Sequence, residues 1–125
     1  MNKITKNNIE EFINYYHYFH DSNINNVNYD ILNSKIEIYI DVFWSGEPLI
    51  KEGVYYETNK TKIKIILSGI EQCNIKEIYS INNIEEAYLK YIKLNNKEFI
   101  CFASDFENPL FYIVCDNMGY EEIKK

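Results

Sequence analysis

Phe19-His20-Asp21-Ser22 decides how this chain is read, because a helical pattern stops there and a strand pattern begins. On its amino-terminal side Ile9, Phe12, Ile13, Tyr16 and Phe19 recur at three- and four-residue intervals, which places them on one helix face. Thr5 or Asn7 can cap that helix, and Glu10 and Glu11 fall in its early turns, where carboxylates complement the helix dipole. The helix is expected to end near His20, with Asp21-Ser22-Asn23 favouring a turn. Beyond it the period becomes two. Ile36, Ile38, Ile40 and Val42 alternate with Glu37, Tyr39, Asp41 and Phe43, the pattern of a strand with one buried face.

Working outward, Val27-Asn28-Tyr29 reads as a shorter strand, joined to the long one by a turn from Asp30 to Ser34. Ser45-Gly46-Glu47-Pro48 breaks the long strand, and Glu47 to Thr58 reads as a loop or a distorted hairpin arm. Thr61 to Leu67 is apolar on both faces near its end, which predicts a central position in the sheet; Gly69 punctuates it. Further strands are expected at 73–78, 85–94, 98–103 and 110–115, with a short last one at 120–123. Asn95-Asn96 suits a tight hairpin turn, because Asn tolerates positive φ. Asn108-Pro109 resets the chain before the last long strand. A lone helix followed by adjacent strands means one α+β domain over residues 1–125. Its amino-terminal amphipathic helix packs on a mostly antiparallel, strongly twisted β-sheet of about six to eight strands. No alternating βαβ pattern exists, which excludes a Rossmann-like fold.

Composition bounds the function. The chain has 125 residues, 46% apolar and 26% charged, enough to bury a core without disulfide or metal support. Ile, Asn, Lys and Tyr, residues with AT-rich codons, dominate, and Arg is absent. The 12 Tyr reflect that bias and also suit an interaction surface, since Tyr buries much area at little entropic cost. A net charge of −6 without a basic run argues against direct nucleic-acid binding and favours steering onto a basic partner. Met1 to Asn8 carries no apolar leader and no run approaches a membrane span, so a cytoplasmic protein is expected. Cys73, Cys101 and Cys115 are odd in number; the last two lie in apolar runs, where cysteine behaves as a small buried hydrophobe.

His17, His20 and Asp21 form the one cluster that could serve as an acid–base centre, with the histidines close on a helix and Asp21 orienting an imidazole. A small hydrolase built on these three is thus one reading. No Gly-x-Ser-x-Gly elbow presents Ser22 or any other serine as a nucleophile. The other reading is a structural turn of His20, Asp21 and Ser22 between helix and sheet. Two histidines and one aspartate fall short of a zinc site, and no Cys-x-x-Cys, calcium loop or Gly-rich phosphate loop is present, so no cofactor is expected. The carboxylate pairs Glu10-Glu11, Glu85-Glu86, Asp105 with Glu107, and Glu121-Glu122 could be a facing acid and base, a solvated surface, or a docking face for a basic protein. Trp44, beside the Ser45-Gly46 break, is a core anchor or an interface residue.

Phe19-His20-Asp21-Ser22-Asn23-Ile24, then Val27-Asn28-Tyr29-Asp30, then an alternating strand and Lys62-Ile63-Lys64-Ile65-Ile66-Leu67-Ser68-Gly69-Ile70, resembles the immunity protein family numbered fifty of bacterial polymorphic toxin systems. The motifs cover residues 19 to 78; the remainder matches by strand order. The resemblance implies a cytosolic, non-enzymatic protein that binds a cognate toxin, and it implies that His20 and Asp21 are structural. Candidate partner-binding residues, taken as charges and aromatics near strand ends or on exposed faces, are Asp41, Trp44, Glu47, Glu85, Glu86, Tyr88, Asp105 and Glu107. A reading from another class is a phage-encoded inhibitor, such as an anti-CRISPR, whose acidic surface imitates nucleic acid.

Overall fold

Alternation in Lys35–Val42 and a run of β-branched residues from Thr61 onward give two strands whose apolar faces must be covered together, and the rest of the chain arranges itself around them. The computed structural model describes residues 2–19, 22–43, 45–46, 49–51, 54–57, 61–75, 88–103 and 111–123, with only the backbone of 49–51, 54–57, 75, 88–90, 101–103 and 111. In chain order these give β1 (Asn2–Ile4), α1 (Ile9–Tyr15), β2 (Asn23–Asp30), β3 (Lys35–Val42), β4 (Leu49–Lys51), β5 (Val54–Glu57), β6 (Thr61–Ile75), β7 (Tyr88–Leu94), β8 (Lys97–Ala103) and β9 (Phe111–Ile123). Seven strands form one antiparallel sheet in the order β2-β3-β6-β9-β8-β7, with β1 also paired to β9; β4 and β5 make a separate hairpin. That hairpin is the distorted arm expected between Glu47 and Thr58. No helix among the described residues is long and apolar enough to cross a membrane.

The long central pair β6–β9 joins two halves of the sheet. Residues 61–68 of β6 bond to β3, whereas residues 112–115 of β9 bond to β8 and residues 118–120 to β1. Gly69 does not end β6 as the sequence suggested, and the two strands expected at 110–115 and 120–123 are one. Gly69 instead bends the ribbon: its φ is +67°, and a register shift follows between Ile70 and Gln72. Core-facing residues step by three at this level, Leu67 to Ile70 on β6 and Cys115 to Met118 on β9, where strict alternation would step by two.

The core lies on one face of the sheet, where Ile36, Ile38, Ile40, Ile63, Ile65 and Leu67 are fully buried in one cluster with Ile9, Phe12 and Ile13 of α1. Phe12 of α1 stacks its ring 4.4 Å from that of Tyr120 on β9 and meets Tyr16 and Phe19 edge-on. The amphipathic face read from the sequence is therefore the buried one. The cap differs: Asn8, not Thr5 or Asn7, precedes the helix. Its side chain accepts from the Thr5 N–H at 2.6 Å and donates to the Lys3 carbonyl at 2.8 Å, tying the helix start to β1.

The helix also ends earlier than His20. After Tyr15 the chain enters a left-handed turn in which His17, Tyr18 and Phe19 have φ of 51°, 58° and 59°. Side chains with a Cβ pay roughly 1–2 kcal/mol each in that region. Burial of Phe19 and the Ser22 N–H to Phe19 carbonyl bond at 3.1 Å hold the turn in place. Tyr18 is half exposed, so it contributes little packing in return. Tyr18→Gly is expected to raise unfolding stability by about 1 kcal/mol, since lost strain outweighs the added freedom of the unfolded chain. Urea titration checks this; a loss of stability would show that Tyr18 packing exceeds the strain. Asn95 and Asn96 have φ of 54° and 63°, the two positive values of the tight β7–β8 hairpin that the sequence predicted.

Candidate functional site

Two surfaces gather side chains with binding chemistry. The first is the face of β3, β6 and β9 opposite the core. Residues that alternate with the buried isoleucines pair across strands there: Glu37, Tyr39 and Asp41 on β3, Lys62 and Lys64 on β6, Glu121 on β9. Lys64 Nζ lies 2.8 Å from Glu121 and 3.3 Å from Glu37, and 6.0 Å from the centre of the Tyr39 ring. Its bond to Glu121 raises the Lys64 pKa, outweighing the opposing effect of burial with the help of the weaker bond to Glu37, and Lys64 in turn holds the Glu121 carboxyl below the usual carboxylate range. Asp41 Oδ1 is 3.5 Å from Lys62 Nζ, an ion pair without a hydrogen bond, while its Oδ2 accepts from Asn25 at 3.3 Å. Asn25 is the residue bulged out of β2, so the bulge re-aims its amide at Asp41. Asn25, Asn26, Tyr39, Asp41, Lys62 and Ile123 line a groove of about 270 Å³.

The second surface runs along α1. Gly46, at φ +63°, donates its N–H to the Tyr15 carbonyl at 2.8 Å, satisfying a carbonyl that the helix end leaves open. The Nε2–H of His17 donates back to the Gly46 carbonyl. The left-handed φ favours a glycine at this turn, and a Cβ there would meet the Tyr15 ring at an ordinary contact distance of 3.6 Å. Beside this clamp is an open groove of about 720 Å³ lined by Asn7, Glu10, Glu11, Asn14, Tyr15, His17 and Gly46. Tyr15 is 51% exposed and Tyr18, projected by the left-handed turn, 50%. Among the described residues no lysine lines the groove.

Of the residues singled out in the sequence, Asp41 sits in the ion-paired face, and Tyr88 opens β7 opposite Ala103, with its backbone alone described. Trp44, Glu47, Glu85, Glu86, Asp105, Glu107, His20 and Asp21 lie outside the described residues. Ser22 is fully buried, and its Oγ accepts from the Phe43 N–H at 3.3 Å, which ties the start of β2 to the end of β3. The pair Glu121-Glu122 splits across the sheet: Glu121 meets Lys64 on one face, and Glu122 accepts from the Tyr16 hydroxyl at 2.9 Å on the other. His17 reaches the groove, but its Nε2 is spent on the Gly46 carbonyl. Cys115 is buried, as expected, and Cys73 is exposed. Among the described residues no group of three or more His, Cys, Asp or Glu side chains is placed to hold a metal ion.

The sequence reading missed Tyr15 and Tyr18, because two tyrosines flanking a helical face give no sign of a left-handed turn after it. It also missed the pairing of Lys62 and Lys64 with Glu37, Asp41 and Glu121, which depends on knowing that β6 lies between β3 and β9. No protein-family model matches the chain, and no curated protein matches it.

Proposed function

We propose that this chain is a non-enzymatic immunity protein that binds and neutralises a cognate bacterial toxin with a basic surface. The observation that carries this reading is the groove along α1, where half-exposed Tyr15 stands beside Glu10 and Glu11 with no lysine among the described lining residues, and half-exposed Tyr18 rises from the adjoining turn. Tyrosines on a rigid element are efficient interface residues, and carboxylates beside them steer a cationic partner. Backbone strain held at Tyr18 fits a residue kept for contact rather than for folding. The nucleic-acid-mimic reading gains less support, because Glu37, Asp41 and Glu121 on the sheet each lie within 4 Å of a lysine rather than presenting free charge.

The test is calorimetric titration against the protein encoded by the neighbouring toxin gene. Tight binding that weakens with added salt is expected. Glu10→Gln/Glu11→Gln should slow association severalfold, and Tyr18→Gly should weaken binding by about tenfold although it stabilises the fold. A wild-type chain that neither binds that protein nor blocks its toxicity overturns the reading.

A further inference from the structure

The turn between β2 and β3 carries an apolar pair where polar residues are the rule: Ile31 is 79% exposed and Leu32 96%. The turn is held rigid. Asn33 donates to both carboxylate oxygens of Asp30, from its side chain at 2.7 Å and from its backbone N–H at 3.3 Å, and the Ser34 N–H bonds the Ile31 carbonyl at 3.3 Å. Ser34, at φ 50°, is then pinned to the bend of β6. Its carbonyl accepts from the Gly69 N–H at 3.1 Å and its Oγ from the Ile70 N–H at 2.9 Å. The bend brings exposed carboxylates to the same end of the sheet. Asp116 stands against Gly69, Glu71 is the bulged residue next to Ile70, and Asp30 begins the turn.

We propose that Ile31 and Leu32 form a preformed apolar plug that inserts into an apolar pocket with a basic rim on the bound protein toxin. The inference rests on the toxin-binding reading above and adds an anchor at the opposite end of β3 from the α1 groove, roughly 23 Å along the strand. A pinned turn loses little freedom on docking, so its buried area is not spent on ordering. Asp30, Glu71 and Asp116 outnumber Lys35, whose charge also acts on Asp30, so a cationic rim is the complementary surround, with the Asp30 carboxyl held below its ordinary range first by its Asn33 bonds. The same collar disfavours two other occupants. An anionic membrane would repel it, and a second copy docked by two-fold symmetry would set carboxylate against carboxylate.

The experiment compares wild type, Leu32→Met and Ile31→Thr/Leu32→Asn for binding to the protein encoded by the neighbouring toxin gene. Both positions are solvent-exposed, so the thermal midpoint should stay unchanged. The double variant should raise Kd by about thirtyfold or more, mainly through faster dissociation, and Leu32→Met should stay within about threefold of wild type. Wild-type binding that the double variant leaves intact overturns the plug while the toxin reading stands; no wild-type binding overturns both. Wild-type pelleting with phosphatidylglycerol vesicles, or wild-type dimerisation, either one lost in the double variant, would reassign the tip and overturn the proposal.

Discussion

Gly69→Ala is expected to lower unfolding stability by about 2–4 kcal/mol, a large share of what holds a domain of this size. Two costs combine. At φ +67° an alanine enters the left-handed region, which costs roughly 1–2 kcal/mol. The new Cβ would also stand 2.7 Å from Asp116 Oδ2 and 2.9 Å from Asp116 Cβ. The exposed carboxylate can rotate away, but the Asp116 Cβ is fixed to β9, so the central strands must part. They part where β6 loses β3 on one side and its partner β9 exchanges β1 for β8 on the other, so the strain reaches both halves. Asp116→Gly supplies the control. In a double-mutant cycle, removing the Asp116 side chain should return the steric share of the loss and leave the φ share. Urea midpoints of the four proteins measure both. A Gly69→Ala chain as stable as wild type would mean that the bend does not need its glycine.

The same residue shows what the sequence could and could not convey. Local pattern located nearly every strand, because alternation in 36–42 and the apolar run from Thr61 need only one neighbour each to be buried. It read Gly69 as an ending because a glycine interrupts either way; only the partner strand decides between a stop and a bend. The edge strand β2 was underestimated for a related reason. Asn23, Asn25, Asn26 and Asn28 disfavour a strand by propensity, yet β2 pairs through its backbone to β3 and turns those side chains mostly to solvent. Among the partner-binding candidates, Asp41 alone has a described side chain, and the structure joins its charge to Lys62 two strand positions from Lys64. The exposed apolar pair Ile31-Leu32 was visible between Asp30 and Asn33 inside a segment read as a turn, and its exposure follows once Ser34 is tied to Gly69 and Ile70.

Stability should fall steeply above about pH 10, and Tyr16 is the main cause. Its ring is 1% exposed, packed against Phe12 and Phe19, and its hydroxyl donates to Glu122. Burial first, and then the hydrogen bond and negative charge of Glu122, push its pKa far above the ordinary tyrosine value. In the unfolded chain the phenol ionises near pH 10, while in the native chain it keeps its proton. The native state therefore binds one more proton above that pH. The stability that Tyr16 contributes is complete below about pH 10 and declines by up to about 1.4 kcal/mol per further pH unit. Tyr120 and Tyr91, raised first by burial, act in the same direction. Tyr16→Phe separates the terms. It forfeits the Glu122 bond, about 1 kcal/mol at neutral pH, and Glu122 is exposed enough to regain water. It also removes the titrating group. The wild type is thus the more stable protein at pH 7, and the two stability curves should cross near about pH 11, where alkaline loss in the wild type equals the forfeited bond. Urea unfolding followed by circular dichroism from pH 7 to 12 tests this. Curves that run parallel across the whole range would show that burial and Glu122 do not hold the proton on Tyr16, and that the alkaline limit of the fold is set elsewhere.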